Sequence, residues 1–225
     1  GRGSARGSTR GSGAGGGGID EADMWAAKQA VEHMKQVTSD VLDFAKAQAG
    51  QLTLHASAER VVDVIKSVVA QYEQYAENTY RAEGGAPTDI KLEVEPGVPA
   101  VCVMDKLRVS QIVANGLSNA IKHVREGGGI RCRISARSDG PDLATLVMQV
   151  MNQGRGLAGV DVESLFEPYS QSQKSSVSAQ VLGTGLGLPI CRLLAKLLGG
   201  VVSLSDHDGW TVFQLELPVV VKAEA

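Results

Sequence analysis

From Asp20 onward, apolar residues return at steps of three and four: Met24, Ala27, Val31, Met34, Val37, Val41, Phe44 and Ala45. That spacing predicts a helix to about Ala49, with Gly50 as its stop. A long helix with one narrow apolar stripe pairs with another helix. A second helix is expected from about Ala58 to Arg81, ended by Glu83, Gly84, Gly85, Ala86 and Pro87. The period then changes. Ile90 to Val94 and Val98 to Met104 read as short strands around the turn Glu95-Pro96-Gly97. Asp105 caps a helix expected to reach about Arg125, and the glycines Gly127 to Gly129 make a loop. Ile130 to Ala136 and Leu143 to Met151 read as a hairpin. A short helix near Val162 to Phe166, a helix from Gly187 to Leu198 and a final hairpin of Val201 to Ser205 with Thr211 to Leu217 complete the pattern. Strands grouped beside helices without βαβ alternation predict an α+β two-layer sandwich, a mixed sheet covered by helices.

Composition narrows this picture. The 225 residues are 43% hydrophobic, enough for one globular domain with an appendage. Residues 1–18 are Gly, Ser, Arg, Ala and Thr only; they cannot bury apolar surface and read as a disordered linker. A net charge of −3 argues against nucleic acid or an anionic membrane as the main partner. No apolar run approaches the roughly 20 residues of a membrane span, and no signal peptide is visible. Cys102, Cys132 and Cys191 are odd in number and sit in apolar contexts, which points to buried, reduced thiols in a cytosolic setting. The chain opens on Gly rather than Met, so we expect a piece of a longer protein.

Four segments could carry chemistry. On the helix after Asp105, the residues Val113, Leu117, Ala120, Ile121 and Val124 share one face, and Asn115, Asn119 and Lys122 share nearly the opposite one. A solvated face is the plain reading. Yet mid-helix asparagines each cost up to about 0.7 kcal/mol against Ala, and their amides can offer oxygen to a divalent cation while Lys offers charge to a phosphate. In Gly183-Thr184-Gly185-Leu186-Gly187-Leu188, alternate glycines open an apolar helix, an arrangement that lets backbone amides approach an anion. The spacing is not that of a dinucleotide fold. Asn152-Gln153-Gly154-Arg155-Gly156-Leu157 is either a plain turn or a close approach to a flat ligand whose edge Asn152 reads. Leu165-Phe166-Glu167-Pro168-Tyr169 puts an aromatic plug ahead of the polar stretch Ser170 to Leu182, long enough for a lid or a disordered segment.

In this order the four segments resemble the histidine kinase-like ATPase superfamily, and within it the sensor histidine kinases. Asp105 to Lys122 is similar to the kinase N box. Asn152 to Leu157 sits where the first glycine box belongs, Leu165 to Tyr169 resembles the F box, and Gly183 to Leu188 the second glycine box. The likeness covers about Ile90 to Pro218. Upstream, Val41 to Leu52 resembles the end of the second helix of the dimerisation and phosphotransfer hairpin. No residue here matches the phosphoacceptor histidine of that hairpin's first helix, and His33, followed by Met34 and Lys35, reads as an ordinary helix histidine.

The resemblance implies a Bergerat-type ATPase fold that binds ATP and Mg²⁺. Asn119 would hold the metal and Asn115 support its shell. Lys122, with Lys174 from the lid, would bind phosphate. Gly183, Thr184, Gly185, Leu186, Gly187 and Leu188 would wrap the triphosphate, and Asn152, Gly154 and Gly156 would seat the adenine. The implied organisation is a linker (1–18), a second hairpin helix (19–54), the catalytic domain (55–220) and a tail (221–225). The implied partners are a histidine-containing hairpin, a response-regulator receiver domain and, in the full-length protein, a second copy. Two positions depart from the family or divide it. Hydrolases of the superfamily carry Glu where this chain has Asn115; an amide cannot take a proton near neutral pH, so transfer is favoured over hydrolysis. Kinases carry Asp where this chain has Asn152, which predicts ATP binding weaker by about 1–2 kcal/mol and leaves open a degenerate, scaffolding module. Trp210, where Gly usually precedes Thr, is a milder departure.

Overall fold

The computed structural model describes residues 21–83, 89–168 and 185–223. The expected linker and the polar stretch after Pro168 lie outside the described residues, as does the side chain of His33. The chain divides into two units, one ending at Lys35 and one starting at Gln36. Helix α1 (Glu21–Gln48) carries the expected apolar stripe, and in the first unit its Met24, Val31 and Met34 are exposed.

The second unit is a mixed sheet with helices on one face. Its elements are β1 (Ser57–Arg60), α2 (Val61–Glu83), β2 (Ile90–Val94), β3 (Val101–Met104), α3 (Lys106–His123), β4 (Ile130–Gly140) and β5 (Leu143–Asn152). A single 3₁₀ turn, Ser164–Phe166, precedes α4 (Gly187–Leu197), β6 (Val201–His207) and β7 (Trp210–Lys222). The strands lie in the order β1-β3-β7-β5-β4-β2, and β6 also pairs with β7. The β2–β4 pair is parallel and the rest are antiparallel. This is the α+β sandwich expected from the change of period.

Alternation sorts the two faces of the sheet. Ile130, Cys132 and Ile134 of β4 are buried, while Arg131, Arg133 and Ser135 between them are part-exposed. On the uncovered face Gln149 Nε2 donates to Gln214 Oε1 at 2.7 Å, and Arg133 pairs with Glu93 at 3.0 Å. On the covered face α3 buries Val109, Ile112, Val113, Gly116, Leu117, Ala120 and Ile121. Each large apolar side chain so buried contributes roughly 1.5–3 kcal/mol. Gly116 is part of this packing: a Cβ there would lie 2.8 Å from the Phe213 ring.

Some boundaries moved for tertiary reasons. The second helix starts at Val61, not near Ala58, because Ser57 to Arg60 pair with Met104 to Val101 at the sheet edge. A four-residue polar edge strand has no periodicity to announce it. β7 runs past the expected Leu217 to Lys222, since its last residues pair with Val101 to Val103 of β3. α3 ends at His123 because Val124 leaves the helix to bridge Gly154.

Asp105 caps α3 as expected, accepting from the Arg108 amide at 3.1 Å, and its second oxygen accepts from the His55 amide at 2.7 Å. One cap therefore fixes both the helix start and the incoming chain, worth about 1 kcal/mol for the helix alone.

All three cysteines are free and buried, as expected. Burial pushes the Cys132 thiol up to about 12 and raises Cys102 and Cys191 too. Two results are expected. Ellman's reagent at pH 8 labels none of the thiols in the folded protein and all of them in denaturant. Because the folded state keeps protons that the unfolded state gives up first, these groups stabilise the fold fully below about pH 9. That contribution is lost progressively as pH rises toward 12, which an alkaline series of thermal melts measures.

Candidate functional site

Helix α3 carries one polar stripe. At about 100° per residue, Arg108, Gln111, Asn115, Asn119 and Lys122 fall within one narrow sector. The stripe serves two purposes. At its start, Arg108 Nη1 binds Asp43 Oδ2 of α1 at 2.7 Å and Gln111 Oε1 at 3.0 Å, and Gln111 Nε2 donates to Asp43 at 3.2 Å. The ion pair is only 12% and 15% exposed, so removing one partner would strand a buried charge. Further along, Asn115 Nδ2 donates to the Gln111 carbonyl at 3.2 Å, which turns its Oδ1 outward from the helix backbone.

Helix α4 begins against that oxygen. A Cβ on Gly187 would lie 3.1 Å from Asn115 Oδ1, so glycine is what lets the first turn come this close. Gly185 precedes it with φ +68°, a conformation that favours glycine. The N-cap residue of α4, Leu186, has an apolar side chain that makes no cap to the first turn. Leu186 is buried and Leu188 packs against the core, so these two anchor the turn through their side chains. Phe166 is buried, with the Arg192 guanidinium of α4 4.1 Å over its ring and paired to Glu163 at 2.8 Å.

The end of β5 meets the end of α3. Gly154 bridges Val124, the Arg125 amide donates to the Gln153 carbonyl at 2.9 Å, and the Gln153 amide donates to the Gly129 carbonyl at 3.1 Å. A Cβ on Gly154 would lie 2.3 Å from the His123 carbonyl oxygen, so this glycine is required by the protein's own backbone. Asn152 is 6% exposed, and its Nδ2 is enclosed without a hydrogen-bond partner among the described residues. Gly156, at φ +73°, sits over Asp206. Asp206 accepts from the Leu157 amide at 2.5 Å and from Thr211 Oγ1 at 2.9 Å, tying this loop to the last hairpin.

The fold thus sets Gly187 against Asn115 in the middle of α3 and Gly154 against its His123 end, with Asn119 and Lys122 between them on the helix. Lys174, Gly183 and Thr184 lie outside the described residues. Lys122 is half-buried; burial lowers its pKa, and the Asp40 carboxylate pulls it back up. Among the described residues no cluster of three or more His, Cys, Asp or Glu could hold a metal. The donor set that α3 offers is amide oxygen, which suits a hard cation shared with phosphate oxygens. The glycine beside Asn115 leaves room at the stripe that fits a bound phosphate group. Sequence reading missed Arg108, Gln111, Asp206 and Arg192. The first two extend the Asn115 stripe by one and two turns, a signal that was present. Asp206 and Arg192 had none, because their partners are distant in sequence.

Residues 104–221 match the family described as histidine kinase-, DNA gyrase B-, and HSP90-like ATPase. The autoinducer 2 sensor kinase/phosphatase LuxQ of Vibrio cholerae is 30% identical over 191 residues, which is 84% of this chain and 21% of LuxQ. The sensor histidine kinase GacS of Pseudomonas protegens is 30% identical over 81% of this chain and 19% of its own length. The chain spans about a fifth of these relatives. Among solved structures, full-length ShkA in complex with AMPPNP superposes with a TM-score of 0.71 at 25% identity, over 89% of this chain and 39% of ShkA. The histidine kinase AdeS of Acinetobacter baumannii shares the fold, with a TM-score of 0.64 at 19% identity over 88% of this chain and 84% of AdeS. The relatives it resembles are sensor kinases, and the chain itself belongs to the family of histidine kinase-, DNA gyrase B- and HSP90-like ATPases.

Proposed function

We propose that this domain transfers the γ-phosphate of ATP to a histidine outside the chain. The observation that carries this reading is the start of α4, which Gly187 sets against the Asn115 amide oxygen of the α3 stripe. A helix N-terminus beside a stripe of amides and a lysine is suited to a triphosphate and its counter-ion. Asn119 would hold Mg²⁺, which supplies charge neutralisation when bound, and Asn115 would support it. Lys122 would bind phosphate, with Lys174. Gly183, Thr184, Gly185, Leu186, Gly187 and Leu188 would wrap the triphosphate, and Asn152, Gly154 and Gly156 would seat the adenine. Transfer then rests on positioning and charge, since Asn115 offers no base to activate water.

The partners in this reading are a histidine-bearing hairpin, a response-regulator receiver domain and, in the whole protein, a second copy, with residues 19–54 as the hairpin's second helix. The setting is cytoplasmic. No helix among the described residues is long and apolar enough to cross a membrane. The unpartnered Asn152 amide favours a second reading, a scaffolding module that binds nucleotide poorly.

Titration with a fluorescent ATP analogue and Mg²⁺ separates the two. Saturable binding is expected; none at millimolar nucleotide rejects the kinase. With labelled ATP and an added histidine-bearing hairpin, acid-labile phosphate on the hairpin is the expected product. Release of inorganic phosphate without it points to a slow ATPase.

A further inference from the structure

The amide nitrogen of Asn152 is walled in, and the residue as a whole is only 6% exposed. It stands at the last position of β5, in register with Ile130 on one side and Thr211 on the other. Its Nδ2 is enclosed, has no partner among the described residues, and lies 2.8 Å from the point where a Cβ of Gly154 would be. A ligand can therefore meet only the opposite end of the amide. A carboxylate of the same shape could offer that ligand an acceptor and nothing else. An amide offers an acceptor in one sense and a donor in the other. No acceptor among the described residues holds the nitrogen, so turning the amide over breaks no hydrogen bond among them.

We propose that Asn152 makes this pocket accept 6-oxo purine nucleoside triphosphates alongside ATP. The inference rests on the nucleotide-binding reading above and names its substrate class. With the oxygen outward, Asn152 accepts from a 6-amino group. With the nitrogen outward, it donates to a 6-oxo group. The His123 carbonyl oxygen lies beside the same point; it makes no hydrogen bond to the amide, but an inward-turned amide oxygen would face it, which disfavours the turned-over form. ATP is therefore preferred, but only mildly. A carboxylate at this position would face a 6-oxo group with an unpaired acceptor, which is penalised by about tenfold or more.

ATP and inosine triphosphate differ in the base only at the six position and the adjoining ring nitrogen. Competition of each against a fluorescent ATP analogue with Mg²⁺ tests the proposal. In the unchanged protein inosine triphosphate is expected to bind within about tenfold of ATP. In Asn152→Asp the preference for ATP is expected to widen at least tenfold, with ATP itself binding more tightly. A preference for ATP above tenfold in the unchanged protein overturns the proposal, whether or not the variant folds. An unwidened ratio in a folded Asn152→Asp protein overturns it too. If the analogue itself does not bind, the nucleotide-binding reading fails and this inference fails with it. That result is distinct from selective ATP binding, which removes only the inference.

Discussion

Replacing Asn119 by Ala is expected to weaken Mg²⁺-dependent nucleotide binding at least about 100-fold while leaving the melting temperature nearly unchanged. Loss of a residue that merely supports a metal ligand costs about 10–100-fold in affinity, and loss of the ligand itself costs more. The fold does not need this side chain. Asn119 is half-buried on the polar stripe, whereas its neighbours Leu117 and Ala120 do the packing. Alanine is also the better helix former, by up to about 0.7 kcal/mol, so the helix is not weakened. The measurement is a titration with and without Mg²⁺, beside a thermal melt of each protein. Affinity unchanged in Mg²⁺, with the melt intact, would remove Asn119 from the site. Equal losses with and without Mg²⁺ would move it from the metal to the nucleotide.

Gly154→Ala is expected to act in the opposite way, through the fold. Its Cβ would lie 2.3 Å from the His123 carbonyl oxygen, which is backbone at the end of α3 and cannot swing aside. Either the helix end or the β5 exit must shift. Overpacking of this kind costs about 3 kcal/mol. For a domain of this size that lowers the melting temperature by about 6–12 °C. Gly156→Ala provides the comparison. Its Cβ would meet the Asp206 carboxylate at 2.9 Å, a side chain that can move, and its main cost is the left-handed backbone at φ +73°. That cost is about 1–2 kcal/mol. Melts of the two variants should therefore fall in that order. If Gly154→Ala melts with the unchanged protein, the contact with His123 is not what requires this glycine.

The two glycines show where reading a sequence stops. Two glycines after a strand read either as a plain turn or as a close approach to a flat ligand. For Gly154, what comes close is the protein's own helix end, thirty-one positions back along the chain. Nothing within a short window of residues separates an approach to a ligand from an approach to a distant carbonyl. Asp206 and Arg192 were silent for the same reason: one holds the Leu157 amide, the other lies over Phe166, and neither pair is local.

Arg108 and Gln111 are a different case. They continue the Asn115, Asn119 and Lys122 stripe by plain helical arithmetic, yet a charged or amide residue on a helix surface is ordinary. Their meaning came from Asp43, which α1 delivers to the same face.

What the sequence determined by itself was whatever repeats over a few residues. The three- and four-residue steps fixed the helices, and Asp105 fixed the start of α3. Alternation of apolar and polar residues separates the two faces of β4. The order of the four segments, from Asp105 through Leu188, carried the family. Tertiary structure alone decided the edge strand Ser57–Arg60, the length of β7 and the unpartnered amide of Asn152. A strand at an edge exists because another backbone pairs with it, and a polar group is left without a partner only once the chain has closed around it. Neither condition is written in neighbouring residues.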